Sequence, residues 1–171
     1  CVSKMYAMTG FRIGWAVGPR PIVEVMMNVQ AQTTSCASAV LQSAAEGALT
    51  GMQSFVESLR LTIQNNRDVV MQELAGVSSI VTARPQGAFY CLPDFRYYNA
   101  DSVALSSFLL KRALVVTVPG REFGMEGHLR VSFSGGTKEL LEAVKRMKWA
   151  LDPNAPNEIY IGDRKMIRDW L

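Results

Sequence analysis

The order of strand and helix patterns after Ser79 is the feature that most limits what this chain can fold into. Segments rich in β-branched and aromatic residues alternate with segments of helical periodicity, in the order strand, strand, helix, strand, strand, helix. A short sheet needs helices on one face to bury its apolar side chains. The sequence therefore predicts a small α/β sandwich lobe over residues 77–152, with its helices on one face of the sheet.

Local signals predict the individual elements of this lobe. Charged and hydroxyl residues stand where helices should begin, and Pro and Gly stand where strands should turn. We predict two strands within 79–95 around a Pro-Gln-Gly turn, a helix capped by Asp101 or Ser102, two further strands at 115–120 and 128–133, and a last helix that Thr137 caps.

A continuous helical pattern over residues 52–76 precedes the lobe. Its apolar residues recur at helical spacing, and Gly76 supplies a stop signal. Helices of this length often connect two lobes. We therefore predict a bridging helix.

Residues 1–51 contain too little regular structure for a domain of their own. The segment FRIGWAVGP at 11–19 predicts a buried strand closed by a turn, and two helical patterns follow it. One strand and two helices cannot enclose a core. We expect residues 1–51 to be part of a larger domain, and residues 153–171 to be a tail that docks on the body or on a neighbouring molecule.

Composition argues against several classes of protein. The net charge is +3 with scattered basic residues, so we expect no nucleic acid partner. Three cysteines without a CxxC pair, together with one histidine, predict neither a metal site nor a disulfide framework. Because no disulfide framework is expected, the reducing cytoplasm is the expected compartment. We see no apolar run of membrane-spanning length and no signal peptide. The absence of an initiator methionine before Cys1 leads us to expect a fragment or a processed product.

A lysine and an arginine stand eight residues apart in the otherwise uncharged segment SKMYAMTGFRIG. Apolar neighbours of Lys4 would partly desolvate it, which favours the neutral amine that Schiff-base chemistry needs. Arg12 carries a planar guanidinium suited to phosphate oxygens. The pair would suit a ligand with an aldehyde at one end and a phosphate at the other. On chemistry alone, the favoured interpretation is the ordinary one, that Lys4 and Arg12 are surface residues flanking a strand.

Three motifs resemble those of one enzyme family. SKMYAMTGFRIGW at 3–15, RPQGAFY at 84–90 and VVTVPGREFGMEGHLRVSFS at 115–134 are similar, in order and spacing, to motifs of the class I (fold type I) pyridoxal-phosphate aminotransferases of the aspartate aminotransferase family. The resemblance covers residues 1–150. It implies an α/β fold in which 1–51 is an incomplete C-terminal part of the large cofactor-binding domain, joined by a long helix to the small lobe.

The resemblance also implies roles for four residues. Lys4 matches the lysine that binds pyridoxal 5′-phosphate covalently and moves the proton at the substrate α-carbon. Arg12 matches the arginine that binds the cofactor phosphate. Cys1 stands where the family commonly has a serine that donates to that phosphate, and a thiol is a weaker donor. Arg130 matches the arginine that pairs with the substrate α-carboxylate.

The implied activity is transfer of an amino group from an amino acid to a 2-oxo acid by a ping-pong mechanism. In the family, the remaining cofactor-binding groups precede the lysine and the site lies at a dimer interface. We therefore expect a C-terminal fragment, inactive alone, that forms a homodimer or associates with the missing N-terminal half. Two alternatives remain open: a lyase or synthase of the same fold, and a non-catalytic dimerisation or binding module derived from it.

Overall fold

The structure, a computed structural model, describes residues 1–169 and has a mixed architecture of helices and short antiparallel strands. Contacts divide the chain into two compact units, Cys1–Arg60 and the residues from Leu61 onward. The boundary falls inside the longest helix.

The first unit is helical. Helix α1 spans Arg20–Thr33, with Pro21 in its first turn, where a missing N–H removes no helical hydrogen bond. Helix α2 spans Ala39–Thr50, and the Gly51 N–H closes it by donating to the Gly47 carbonyl at 2.9 Å. Helix α3, Ser54–Ala75, begins in this unit and continues into the second. The helices that the sequence predicts here are thus confirmed.

The strand predicted over 11–19 is wrong. Thr9–Phe11 form a 3-10 turn, Arg12 adopts the left-handed region with φ of 50°, and residues 13–19 have no regular structure. A β-strand forms only where a neighbouring strand takes up its backbone hydrogen bonds. Among the described residues of the first unit no strand offers that pairing.

The second unit contains a three-stranded antiparallel sheet in the order β1-β3-β2. Its strands are β1 at Tyr90–Cys91, β2 at Val118–Pro119 and β3 at Leu129–Ser132. They are shorter than predicted, and the segment before the Pro-Gln-Gly turn contributes only an isolated bridge between Val81 and Asp94. Prolines interrupt these segments, and a proline has no N–H to donate to a ladder.

Helices cover the apolar face of this sheet. Helix α4 spans Ser102–Phe108 and runs on as a π-helical segment, Leu109–Ala113, and the last helix, α5, spans Thr137–Leu151. Together with the later part of α3 they enclose a core with the inward residues of the sheet. Its fully or nearly fully buried members include Val70, Leu74, Phe95, Leu105, Leu109, Leu129, Phe133, Val144 and Met147.

The two predicted helix caps in this unit differ in outcome. The Asp101 carboxylate accepts hydrogen bonds from the Val103 and Ala104 N–H groups, both at 2.9 Å, as an N-cap should. The cap predicted for Thr137 is wrong, since Gly136 occupies the cap position of α5. The Thr137 hydroxyl instead donates to the side-chain carbonyl of Asn66, which lies on α3, at 2.7 Å.

The tail packs against the second unit. It forms a hairpin of β4, Glu158–Ile161, and β5, Arg164–Ile167, whose residues Ile161 and Met166 join the core. The buried Arg168 guanidinium donates to the carbonyls of Asp152 at 2.6 Å and Ala155 at 3.0 Å. Of the two docking surfaces that the sequence left open for the tail, the structure thus uses the body of the chain. Over residues 1–169, no helix is long and apolar enough to cross a membrane.

Candidate functional site

Residues 1–14 fold back on themselves, so that Cys1 lies against Gly14. A Cβ atom placed on Gly14 would come within 2.9 Å of the Cys1 Cβ, a distance that leaves no room for a side chain. Lys4 and Arg12 therefore belong to one closed loop. The sequence places these residues in one motif, and the structure places them on one compact segment.

Buried and hydrogen-bonded residues on both sides of Lys4 hold the loop in place. Val2 is fully buried, and the Tyr6 N–H donates to the Val2 carbonyl at 3.2 Å to close a turn around Lys4. The Tyr6 hydroxyl donates to the Gln53 side-chain carbonyl at 2.8 Å, and the Gln53 amide donates to the Gly51 carbonyl at 2.7 Å. These bonds tie the lysine-bearing turn to the end of α2.

Lys4 itself is exposed. The partial desolvation expected from its apolar neighbours is therefore wrong for this chain. One of those neighbours, Met5, is itself more than half exposed. The Lys4 side chain therefore lies at the surface of its unit.

Arg12 presents most of its hydrogen-bond donors outward. One nitrogen, Nη1, donates to the Thr9 carbonyl at 3.1 Å, which fixes the side chain against the 3-10 turn. No carboxylate among residues 1–169 forms an ion pair with this guanidinium. The space beside Gly10 is open as well, since a Cβ there would meet nothing within 4 Å. An anion can approach both residues.

The side chains of this loop include some of the groups that could bind a phosphorylated aldehyde. Lys4 supplies an amine, Arg12 supplies a guanidinium and Cys1 supplies an exposed thiol. An amine adds to an aldehyde, and a guanidinium with several donors in one plane binds phosphate oxygens. A groove of about 910 Å³ opens between α1 and α2 in the same unit, and neither Lys4 nor Arg12 lines it.

Arg130 lies in the second unit, on the face of the sheet opposite the core. Successive strand residues alternate between faces, and its neighbours Leu129 and Val131 are buried. The Arg130 Cζ lies 5.2 Å from the centre of the Tyr90 ring and 5.0 Å from the centre of the Phe123 ring. Arg130 is thus held by aromatic rings and half-buried.

A glycine brings Phe123 to this position. After β2 the chain enters a 3-10 turn, Gly120–Phe123, and the Gly120 N–H donates to the His128 carbonyl at 2.7 Å. A Cβ on Gly120 would lie 2.2 Å from the Met125 carbonyl oxygen and 2.6 Å from the His128 carbonyl oxygen, so only glycine allows these backbone segments to approach so closely. Sequence reasoning did not single out Phe123. Its signal was its place in the segment PGREFG, four residues after the proline.

In the second unit, a neighbouring arginine changes the pKa of the Asp94 carboxyl group. Hydrogen bonds from the Arg96 side chain, and then from its backbone N–H, lower the pKa of Asp94 from 3.8 to about 2. Asp94 and Arg96 thus form an ion pair at 2.6 Å. Across residues 1–169, no three His, Cys, Asp or Glu side chains cluster in a way that could hold a metal ion.

Comparison with known proteins gives a consistent match. Residues 1–147 match the family model described as aminotransferase class I and II. The chain is similar to an aspartate aminotransferase of Rhizobium meliloti (strain 1021), with 37% identity over 162 residues that cover 88% of this chain and 39% of the relative. It is also similar to a probable aspartate/prephenate aminotransferase of Aquifex aeolicus (strain VF5), with 37% identity over 155 residues and the same two coverages, 88% and 39%.

Solved structures agree with these relatives. The crystal structure of the Rhizobium meliloti aspartate aminotransferase superposes with a TM-score of 0.82 at 36% identity, over 88% of this chain and 40% of that one. The Thermus thermophilus aspartate aminotransferase with maleate gives a TM-score of 0.82 at 35% identity, over 86% and 39%. The chain therefore spans about two fifths of the length of these relatives.

Proposed function

Because the chain belongs to the class I and II aminotransferase family, we propose that it is the C-terminal part of a pyridoxal 5′-phosphate-dependent transaminase. The observation that carries the proposal is that a match through residue 147 includes both the loop with Lys4 and Arg12 and the strand with Arg130. The reaction would move an amino group between an amino acid and a 2-oxo acid in two half-reactions. The whole protein would be a homodimer, or this chain would associate with a separate N-terminal half.

The domain assignment is part of this proposal. Residues 1–51 would complete a large cofactor-binding domain, 52–76 would connect it to the small domain at 77–152, and 153–171 would be an appendage of the small domain. The shares of 39% and 40% of the relatives' lengths support this arrangement, since most of each relative has no counterpart here.

Each candidate residue has a role that its chemistry allows. The Lys4 amine would bind the cofactor aldehyde and would then hold and move the proton at the substrate α-carbon. The Arg12 guanidinium would bind the phosphate, with the Cys1 thiol as an additional weak donor. When bound, the cofactor supplies the electron sink that the protein side chains lack. Arg130 would bind the substrate α-carboxylate through two parallel hydrogen bonds.

Covalent labelling of Lys4 tests the proposal. We expect that incubation with pyridoxal 5′-phosphate followed by borohydride reduction places one cofactor adduct on Lys4, detected by peptide mass spectrometry. Lys4→Ala should lose this adduct, whereas Lys138→Ala, at an exposed lysine on the first turn of α5, should retain it. Diffuse labelling of surface lysines, or no labelling, would argue for a non-catalytic module instead.

A second arm separates an incomplete site from an incorrect assignment. The labelling is repeated after addition of the N-terminal portion of the Rhizobium meliloti relative. A rise in Lys4 labelling on this addition indicates a site that needs its missing part. Labelling that stays diffuse in both arms contradicts the proposed role of Lys4.

A further inference from the structure

We propose that Tyr90 and Phe123 are positioning residues, whose rings hold the Arg130 guanidinium and leave its N–H donors open to a carboxylate. The inference rests on the proposed function, in which Arg130 binds the substrate α-carboxylate. It adds two residues to that site and gives each of them a distinct physical role.

The two rings reach Arg130 from different elements of the sheet. Tyr90 begins β1, which pairs with β3 so that Tyr90 lies opposite Ser132 and Cys91 lies opposite Val131. Tyr90 and Arg130 therefore share one face of the sheet as diagonal neighbours, within reach of long side chains. Phe123 comes from the 3-10 turn that follows β2, the neighbour of β3 on its other side.

The distances place the guanidinium within range of both rings. Its Cζ lies 5.2 Å from the Tyr90 ring centre and 5.0 Å from the Phe123 ring centre, inside the range of about 6 Å over which a cation is attracted to an aromatic face. A guanidinium stacks through its flat faces, whereas its N–H donors lie in its plane. The two ring contacts hold the group through its charge and supply no carboxylate or carbonyl acceptor, so the N–H donors stay available to an incoming carboxylate.

Two other arginines of the same unit are held by carboxylates instead. Arg96 is paired with Asp94 at 2.6 Å, and Arg84 is paired with Asp68 at 2.7 Å. A carboxylate of the protein in such a pair neutralises the guanidinium and competes with any incoming anion. Within residues 1–169, Arg130 has no ion pair and no side-chain hydrogen bond, and its charge is available to a ligand.

The rings also restrict the water around Arg130. Arg130 is half-buried although it points away from the core, because Tyr90 and Phe123 cover part of it. Hydrogen bonds to a partly desolvated charge are stronger than those in open water. Phe123 is 46% exposed, so its replacement by a smaller residue removes a ring contact without opening a cavity in the core.

Arginine side-chain NMR on the full chain tests the inference. The chain is labelled with ¹⁵N-arginine, and the Arg130 Nε–Hε signal is assigned by its loss in Arg130→Lys. Acetate is then titrated against chloride at matched ionic strength. We expect a saturable shift of the Arg130 signal, with an acetate affinity that falls about threefold to tenfold in Phe123→Leu and in Tyr90→Leu.

Conservative and distant variants provide the controls. Phe123→Tyr and Tyr90→Phe keep an aromatic face and should bind acetate within about twofold of the original chain. Tyr97→Leu removes an exposed ring of the same unit and should have no effect on binding. The Trp149 indole N–H, which donates to the Pro156 carbonyl at 2.8 Å, reports whether each variant is folded. If one leucine variant loses the Trp149 signal and is therefore unfolded, the acetate affinity of the other leucine variant tests the positioning role.

The outcomes separate the two proposals. Acetate binding at Arg130 that is equal in the original chain and in the folded leucine variants overturns the positioning role and leaves the proposed function intact. No acetate shift at Arg130 in the original chain overturns both the carboxylate role of Arg130 and the positioning role. The labelling of Lys4 tests the rest of the proposed function independently.

Discussion

At the scale of single residues, Asp94 shows how one neighbour sets the protonation of a surface carboxyl group. The Arg96 Nη2 donates to its Oδ2 at 2.6 Å, Nε donates to both oxygens at 3.0 Å, and the Arg96 backbone N–H donates at 2.9 Å. All four bonds favour the ionised form. The Asp94 carboxyl group should therefore remain charged in acid that protonates ordinary aspartates.

We predict that Asp94 titrates near pH 2 in the folded chain, because its pKa is lowered to about 2 from 3.8. The folded pKa lies below the unfolded one, so the stabilisation is present above the unfolded pKa and is lost as the pH falls through the folded pKa. Arg96→Ala should raise the Asp94 pKa, and ¹³C NMR of the carboxyl carbon measures both. An Asp94 midpoint that is the same with and without Arg96 would contradict this cause.

At the scale of secondary-structure elements, one buried amide joins three of them. Asn66 on α3 is 1% exposed, and its Nδ2 donates to the Phe133 carbonyl at 3.1 Å and the Gly135 carbonyl at 2.9 Å. Its Oδ1 accepts from the Thr137 hydroxyl at 2.7 Å. The end of β3 and the start of α5 are therefore held to α3 by one side chain.

We predict that Asn66→Ala lowers the free energy of unfolding by about 3 kcal/mol, because it leaves buried polar groups without partners. Asn65→Ala is the matched control, since the adjacent side chain is exposed and should change stability by less than about 0.5 kcal/mol. Urea unfolding followed by circular dichroism measures both. Equal stability of the two variants would mean that the amide does not join these elements.

At the scale of the whole chain, the second unit includes the tail as part of its core. Met166 in β5 is 6% exposed, whereas its neighbour Ile167 on the other face of the hairpin is 54% exposed. The hairpin thus presents one apolar face to the unit. Arg168, whose Cζ lies 5.8 Å from the centre of the Trp149 ring, covers the junction between the hairpin and α5.

We predict that Met166→Ala destabilises the chain by about 2–4 kcal/mol, the usual cost of deleting a buried side chain of this size. Ile167→Ala should cost less than about 1 kcal/mol, because an exposed side chain leaves no cavity. Urea unfolding of the two variants gives the comparison. If both residues cost the same small amount, the hairpin does not pack on the unit in solution.

Several features of the fold and site followed from neighbouring residues alone. The helices, the Asp101 cap and the stop at Gly76 depend on interactions within a few residues, which the amino-acid order specifies directly. The motifs around Lys4, Arg12 and Arg130 were recognisable for a similar reason. Their spacing along the chain is itself the signal, and the family match through residue 147 agrees with it.

Other features depended on residues far apart in sequence and had to await the tertiary structure. The segment 11–19 has strand-forming residues but no strand beside it, so it forms none. Phe123 reaches Arg130 because β2, its following turn and β3 pack together, and Asn66 reaches Thr137 across 71 residues. Composition and periodicity indicate which secondary structure a segment can adopt. The tertiary structure decides which partners form hydrogen bonds with the segment and which side chains contact its charged groups, because those partners come from elements far apart in the sequence.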